Sequence, residues 1–322
     1  MTIQEIYDFA IDMGIKADPR GVDKVKKQLA RLKKDYEELP KKKKKYFDTE
    51  SLKNPYSDTR ILFGDSKTSV KKILSGIDID TGEILLADRL NQKGENIDLV
   101  IGHHPHGAAL SSLDEVMDLQ VDLMASFGVP INVAESLLKD RITQVKRRLG
   151  PVNHFQSVDA ARLLGVSFMV IHTVWDNLGC TFVSNLLEKK NEQLETVGDV
   201  LEILEELPEF QETKKWKAGP RITAGSEKNR AGKIVVSGFT GGTEGSKLMY
   251  EKMAQAGVGT IVEMHMSEEH FEEARKHHLN VIVSGHMASD SIGANLFFDE
   301  LEKKNIIVIP CSGLIRVKRS LK

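Results

Sequence analysis

The spacing of apolar residues along the chain predicts helices first and then an alternation of strands and helices. Near the N-terminus, Ile3, Ile6, Tyr7 and Ala10 recur at helical spacing. A second, strongly charged helix is predicted at 22–38, and a run of five lysines follows at 41–45. We therefore expect a helical N-terminal extension over residues 1–58.

From residue 59 onward, short apolar runs alternate with helical segments. Strands are predicted at 60–64, 72–78, 97–101 and 167–171, and helices at 82–90, 178–190 and 197–207. This order is typical of a parallel sheet with crossover helices. We predict a first α/β half at 59–207 with a helical insertion near 113–165, whose helices are expected at 113–127, 133–149 and 157–164.

A polar segment broken by Gly and Pro, 208–230, separates this half from a second alternation. Strands are predicted there at 233–237, 260–264, 281–283, 306–310 and 314–318, and helices at 247–255, 268–277 and 294–303. We predict a second α/β half at 231–322. The predicted fold class is α/β, with two halves built on mostly parallel or mixed sheets.

Composition and charge narrow the classes of protein. The chain is 40% hydrophobic and 29% charged, and its formal net charge of −2 argues against a nucleic-acid-binding protein. We interpret the lysine run as a solvated connector, because few aromatic residues are interleaved for base stacking. A phosphate or nucleic-acid patch is the alternative.

The spacing of the cysteines and the absence of long apolar runs predict the cellular location of the protein. Cys180 and Cys311 are far apart and form no C-x-x-C motif, which argues against a disulfide framework or a thiolate zinc site and favours a reducing compartment. No apolar run approaches the ~18 residues of a transmembrane helix, and the N-terminus lacks the features of a signal peptide. We expect a cytoplasmic protein without membrane contacts.

Histidine and aspartate follow three of the predicted strands. The strand at 97–101 leads into His103 and His104, that at 167–171 into His172 and Asp176, and that at 281–283 into His286 and Asp290. Ligands of open α/β sheets bind outside the carboxyl ends of the strands, and residues four apart share one face of a helix. The alternative for each motif taken alone is structural: an exposed loop at the histidine pair, and a helix cap at Asp290.

Taken together, these side chains supply imidazoles and carboxylates but no thiolate. Such a set suits Zn, Mn or Fe better than Mg or Ca. Two carboxylates able to bridge indicate a two-metal site, with ions on the order of 4 Å apart, that activates a water molecule.

The motifs G-H-H-P, H-T-x-x-D and G-H-x-x-x-acid, in this order, resemble those of the Nif-three-like dinuclear-metal-centre proteins. The resemblance covers residues 60–107, 166–180 and 231–316. It implies a Nif-three-like fold, a homohexamer and two divalent transition-metal ions (Zn, Fe or Mn) per subunit. Some members of the family carry a GTP-cyclohydrolase-type designation.

Carried over to this chain, the resemblance implies metal ligands at His103, His104, Asp176, His286 and Asp290. The family usually has Glu at the last position, and the shorter Asp290 leaves open whether it bridges both ions. His172 matches a histidine that lines the site, as a ligand or a proton carrier, and is our catalytic candidate.

Two further segments resemble parts of the same family. The glycine-rich turn 236–246 is either a tight connection or a cradle for phosphate. Segment 263–270 stands where the family has T-G-D-x-x-x-H. Its two histidines, His265 and His270, are candidates to approach the metals. For His270, the alternative is a position on a helix surface.

The functional prediction is a dinuclear-metal-binding, hydrolase-like enzyme acting on a small phosphorylated or heterocyclic substrate. The alternative is a non-catalytic, metal-braced oligomer with a binding or regulatory role.

Overall fold

The computed structural model describes residues 1–319 and shows two sheets flanked by helices. The helices are α1 (Ile3–Lys16), α2 (Val22–Glu38), α3 (Lys41–Lys44), α4 (Thr81–Gln92), α5 (Gly107–Ser111), α6 (Leu119–Ser126), α7 (Ile131–Leu149), α8 (Gln156–Leu164), α9 (Thr173–Lys189), α10 (Val197–Glu205), α11 (Pro208–Lys215), α12 (Met249–Gln255), α13 (Glu268–Lys276) and α14 (His286–Glu302). The strands are β1 (Arg60–Phe63), β2 (Lys72–Gly76), β3 (Leu99–Gly102), β4 (Phe168–Val170), β5 (Arg221–Ala224), β6 (Lys233–Val236), β7 (Val258–Glu263), β8 (Asn280–Val283) and β9 (Ile307–Cys311). The predicted α/β class is confirmed.

The first sheet has the order β1-β4-β3-β2-β9. β4, β3, β2 and β9 run parallel, and β1 closes one edge antiparallel to β4. Every residue of β3 and β4 is buried, which explains why these strands are continuous apolar runs without alternation.

The last strand is placed differently from our expectation. The sequence pattern predicts 306–310 within the second half, but β9 pairs with β2 of the first sheet, from Lys72 opposite Ile307 to Gly76 opposite Cys311. Local periodicity predicts a strand without predicting its neighbour, and the free edge of β2 lies in the first half. The chain therefore crosses back between the halves at its end.

The second sheet has the order β5-β8-β7-β6, with β5 antiparallel at its edge. α11 and β5 lie inside 208–230, which the sequence indicated as a break. β5 is a largely solvent-facing edge strand, so its apolar signal is weak. The strand expected at 314–318 is absent from the described residues, where Val317 instead donates its backbone N–H to Asn295 of α14 at 3.1 Å.

Two helices begin earlier than the sequence predicted. α9 starts at Thr173 rather than at residue 178, and α14 starts at His286 rather than at 294. The two helices pack together so closely that a side chain at Gly293 would collide with the backbone carbonyl of Trp175. Their contact joins the two halves and places Asp176 and Asp290 near each other.

The N-terminal region is helical, as predicted, but its first helix belongs to the core. Ile3, Ile6 and Ala10 of α1 are fully buried in one apolar cluster with Trp175 and Phe297. α2 buries Val25 alone, and the lysine run forms the short, mostly exposed α3. Among residues 1–319, no helix is both long and apolar enough to span a membrane.

Candidate metal centre

The side chains predicted as ligands converge where three strands end. His103 and His104 follow β3, His172 follows β4, and His286 opens α14 after the two-residue turn that ends β8. His103, Asp176 and Asp290 are buried, whereas the side chain of His286 is 44% exposed. The structure thus brings all six predicted site residues together, from both halves of the chain.

The converging atoms form overlapping groups, each with its ligand atoms within 4.8 Å of one another. In the first, Nε2 of His103 lies 3.3 Å from Oδ1 of Asp176 and 3.5 Å from Oδ1 of Asp290. In the second, Nε2 of His286 lies 3.5 Å from Oδ2 of Asp290 and 3.4 Å from Nε2 of His104. His103, His104 and His172 form a third group. Asp290 therefore turns one oxygen toward each of the first two groups.

The Nδ1 atoms of three histidines are held by acceptors outside the cluster. Nδ1 of His103 contacts the carbonyl of Ile171 at 3.0 Å. Nδ1 of His104 and of His172 contact the carboxylates of Asp78 (2.6 Å) and Asp58 (2.8 Å). An Nδ1–H that donates to such an acceptor leaves the Nε2 lone pair free to bind a metal.

The buried polar atoms fit a bound cation. Within the described residues, Nε2 of His103 and both carboxylate oxygens of Asp290 are buried without a hydrogen-bond partner. Buried groups of this kind are costly when unsatisfied. Imidazole nitrogens and carboxylate oxygens are ordinary ligands of Zn, Fe and Mn, so the cluster could hold metal.

Electrostatics keep the central carboxylate ionised. Burial alone would raise the pKa of Asp290, but the imidazoles of His103, His286 and His104 outweigh it and lower the pKa to about 2. Burial lowers the pKa of His286, which favours its neutral, metal-binding form.

Some residues of the site escaped sequence reasoning. Asp78 stands at the end of the strand predicted at 72–78. The expectation that ligands bind outside the carboxyl ends of strands could therefore have identified it. Asp58 precedes β1 in sequence, and no spacing connects it with His172. The ring of Trp175 stacks on His103, with ring centroids 5.6 Å apart and planes inclined by 8°; no sequence motif indicates this contact.

The alternatives for His265 and His270 are now resolved. The ring of His265 lies 4.7 Å from that of His286, so it approaches the centre. His270 is not on a helix surface: it is 7% exposed, and its Nδ1 lies 3.4 Å from the hydroxyl of Tyr250.

A cavity of about 290 Å³ opens beside the cluster. His104, His172, Asp176 and His286 form part of its wall, and the glycine-rich turn forms another part. The amide of Gln120 donates to the carbonyls of Gly241 and Thr243 at 2.7 Å each and holds the turn in place. Side chains at Gly241 (φ 93°) or Gly242 (φ 87°) would collide with α6 or the 3₁₀ turn before it.

Comparisons with known proteins identify the family. No protein-family model matches the sequence, and no curated protein matches it. Among solved structures, a NIF3 superfamily protein from Sphaerobacter thermophilus is 30% identical, with a TM-score of 0.72 over 80% of this chain and 92% of that chain. Reduced HcgD from Methanocaldococcus jannaschii is 15% identical (TM-score 0.46; 78% of this chain, 87% of that chain). A Bacillus cereus protein related to NIF3 is 10% identical (TM-score 0.42; 82% and 92%). The identity and coverage of the first match show that the chain belongs to the NIF3 superfamily, as its motifs predicted.

Proposed function

We propose that the chain binds two divalent transition-metal ions (Zn, Fe or Mn) and that Asp290 bridges them. His103 and Asp176 would hold one ion, and His104 and His286 the other. The observation that carries this proposal is the division of the Asp290 oxygens between the two groups, at 3.5 Å from His103 and 3.5 Å from His286. This geometry supports bridging even by a carboxylate one methylene shorter than Glu.

We further propose a hydrolase-like activity on a small phosphorylated or heterocyclic substrate bound in the adjoining cavity. Bound ions would polarise the scissile group and lower the pKa of a water molecule. Apolar side chains such as Leu113 and Met249 line the cavity and offer contacts to the apolar part of a substrate.

His172 is the acid/base candidate. Asp58 accepts a hydrogen bond from its Nδ1 and holds the ring, so Nε2 can exchange a proton at the cavity wall. Burial alone would lower the pKa of His172, but Asp176 and Asp58 outweigh it and raise the pKa.

Metal analysis combined with turnover tests this proposal. Purified protein is analysed for Zn, Fe and Mn, then screened for depletion of small metabolites, alongside Asp290→Asn and a surface control, Asp12→Asn, whose side chain is 57% exposed. We expect metal and turnover in the wild type and in the control, and neither in Asp290→Asn. A protein that binds none of the three metals refutes the proposal. Bound metal without turnover, with oligomers that dissociate when the metal is removed, would favour the non-catalytic alternative.

A further inference from the structure

The cavity beside the metal centre has an unusual charge composition. Among the described residues, it is lined by no lysine and no arginine, but by three acidic residues, Asp176, Glu244 and Glu263, and by five histidines, His104, His172, His265, His270 and His286. Another part of its wall is apolar and includes Leu110, Leu113, Leu123, Met124 and Phe239. Asp176 belongs to the metal centre, which leaves Glu244 and Glu263 without an assigned role.

Glu263 ends β7 and is 4% exposed. The hydroxyl of Tyr250 donates to its two carboxylate oxygens at 3.1 Å each. Within residues 1–319, no lysine or arginine pairs with this carboxyl group. A carboxylate accepts about four hydrogen bonds, so one hydroxyl leaves acceptor capacity at the cavity that Glu263 lines. A buried carboxylate without a cationic partner is costly, and the cost falls when a cation binds beside it.

Glu244 extends this acidic wall from the glycine-rich turn. Its Oε1 lies 3.6 Å from Nδ1 of His270 and 3.7 Å from Nδ1 of His265, and it accepts a hydrogen bond from the backbone N–H of Ser267 at 2.8 Å. The Nε of Arg141 donates to the backbone carbonyl of Glu244 at 3.0 Å, and the carboxylate of Glu244 faces the imidazoles of His265 and His270.

We propose that the substrate carries a cationic nitrogen, such as an ammonium, an amidinium or a protonated ring nitrogen, and that Glu263 and Glu244 bind this group. The inference rests on the proposed function for the identity of the cavity as the substrate site. Of the two substrate classes considered above, it favours a nitrogen heterocycle or an amine, because the part of the wall formed by Glu244 and Glu263 offers carboxylates and no lysine or arginine.

The titration of Glu263 supports the same assignment. Burial raises its pKa to about 7, while the Tyr250 hydroxyl and His265 oppose this rise and Glu244 adds to it. His270 completes the set of titratable groups around the Glu263–Tyr250 pair. A bound cation favours the ionised carboxylate, so binding near neutral pH should release a proton.

The size of the cavity suggests suitable probes. A volume of about 290 Å³ corresponds to about ten water-sized groups at ~30 Å³ each. Cyclohexylamine, cyclohexanol and cyclohexanecarboxylate fit this volume, have nearly the same shape, and differ in charge.

The test measures the affinity of these three probes for the metal-loaded full chain by calorimetry or ligand-observed NMR. We expect cyclohexylammonium to bind about tenfold or more tightly than cyclohexanol, since hydrogen bonds to charged groups are the strong ones. Glu263→Gln keeps the size of the side chain and should remove this preference, with cyclohexanol binding unchanged. Calorimetry in HEPES and in Tris should show proton release with the wild type and none with Glu263→Gln. Equal affinities for amine and alcohol, or an amine affinity unchanged in both Glu263→Gln and Glu244→Gln, overturn the inference.

Metal content measured on the same samples separates this inference from the proposed function. Asp290→Asn should lose metal yet keep its preference for the amine, because the acidic wall is intact. A wild type that selects the amine but binds no metal contradicts the proposed function alone. A metal-loaded protein without amine preference contradicts the inference alone.

Discussion

Oδ1 of Asp290 lies 3.5 Å from Nε2 of His103, and neither atom has a hydrogen-bond partner within residues 1–319. The imidazole comes from the end of β3 in the first sheet, and the carboxylate from α14 after the second sheet. Two buried atoms of this kind are costly while unsatisfied, and a cation bound between them would satisfy both. The centre therefore forms only when both halves are folded and joined.

Because two groups of candidate ligands share Asp290, we expect different variants to lose different amounts of metal. Asp176→Ala should lower occupancy of the His103 position, and His286→Ala that of the His104 position. Asp290→Ala should lower both, and Asp290→Glu should preserve binding because the carboxylate remains. Elemental analysis per chain checks this pattern. Equal metal content in Asp290→Ala and Asp176→Ala contradicts the bridging role of Asp290.

Asp78 orients the ring of His104 through Nδ1, but it is not a member of the groups of side chains that could hold a metal. Asp78→Asn removes a charged acceptor from Nδ1 of His104 and should weaken metal binding by about 10- to 100-fold. Asp80 is a matched control in the same loop: it caps α4 and accepts a hydrogen bond from Ser157 at 2.8 Å. Competition with a chromogenic chelator measures both variants. If the metal affinity of Asp80→Asn is as low as that of Asp78→Asn, the loss comes from a disturbance of the whole loop and not from the contact between Asp78 and His104.

Gly293 sets the distance between α9 and α14. Gly293→Ala places a methyl group against the carbonyl of Trp175 and should lower the free energy of unfolding by about 3 kcal/mol. Metal affinity should fall as well, because the helices that carry Asp176 and Asp290 are forced apart.

The control for this effect is Gly82→Ala in α4, where a methyl group meets no atom within 4 Å. That variant should be unchanged or more stable by up to about 1 kcal/mol. Denaturant unfolding compares the two proteins. A Gly293→Ala protein as stable as Gly82→Ala would disprove the close packing of α9 on α14.

The raised pKa of Glu263 predicts that the free energy of unfolding depends on pH. Its pKa is raised from 4.5 to about 7 in the folded state, so the folded protein holds a proton that the unfolded chain releases. The resulting stabilisation is present below the unfolded pKa and is lost as the pH rises to about 7. At ~1.4 kcal/mol per unit, the difference amounts to about 3 kcal/mol.

Glu263→Gln removes this titration and leaves the other groups in place. The difference in free energy of unfolding between wild type and variant should therefore change by about 3 kcal/mol across this pH range. Chemical denaturation at several pH values measures it. Parallel pH profiles for the two proteins would mean that Glu263 is not the buried, proton-binding group described above.

Much of the architecture was readable from local patterns. Helical spacing predicted α1, α2 and α7, and apolar runs predicted β3 and β4, because a periodic pattern reports which face of an element is buried. The predictions failed at elements whose bounds depend on contacts with other parts of the fold. β5 is an edge strand with little apolar content, and α14 begins at a glycine–histidine turn that has no capping signal.

The sequence by itself determined which residues the site can use: histidine and aspartate at the ends of three strands, in an order that identifies the family. Their role as metal ligands stays a prediction. Only the tertiary structure decided that Asp290 faces both groups of histidines, that Asp58 and Asp78 orient two of the rings, and that a cavity lined in part by Glu244 and Glu263 adjoins them. The physical reason is distance along the chain. Spacing within a strand or helix constrains neighbours in sequence, whereas contacts between β3, α9 and α14 depend on how two separately patterned halves pack against each other.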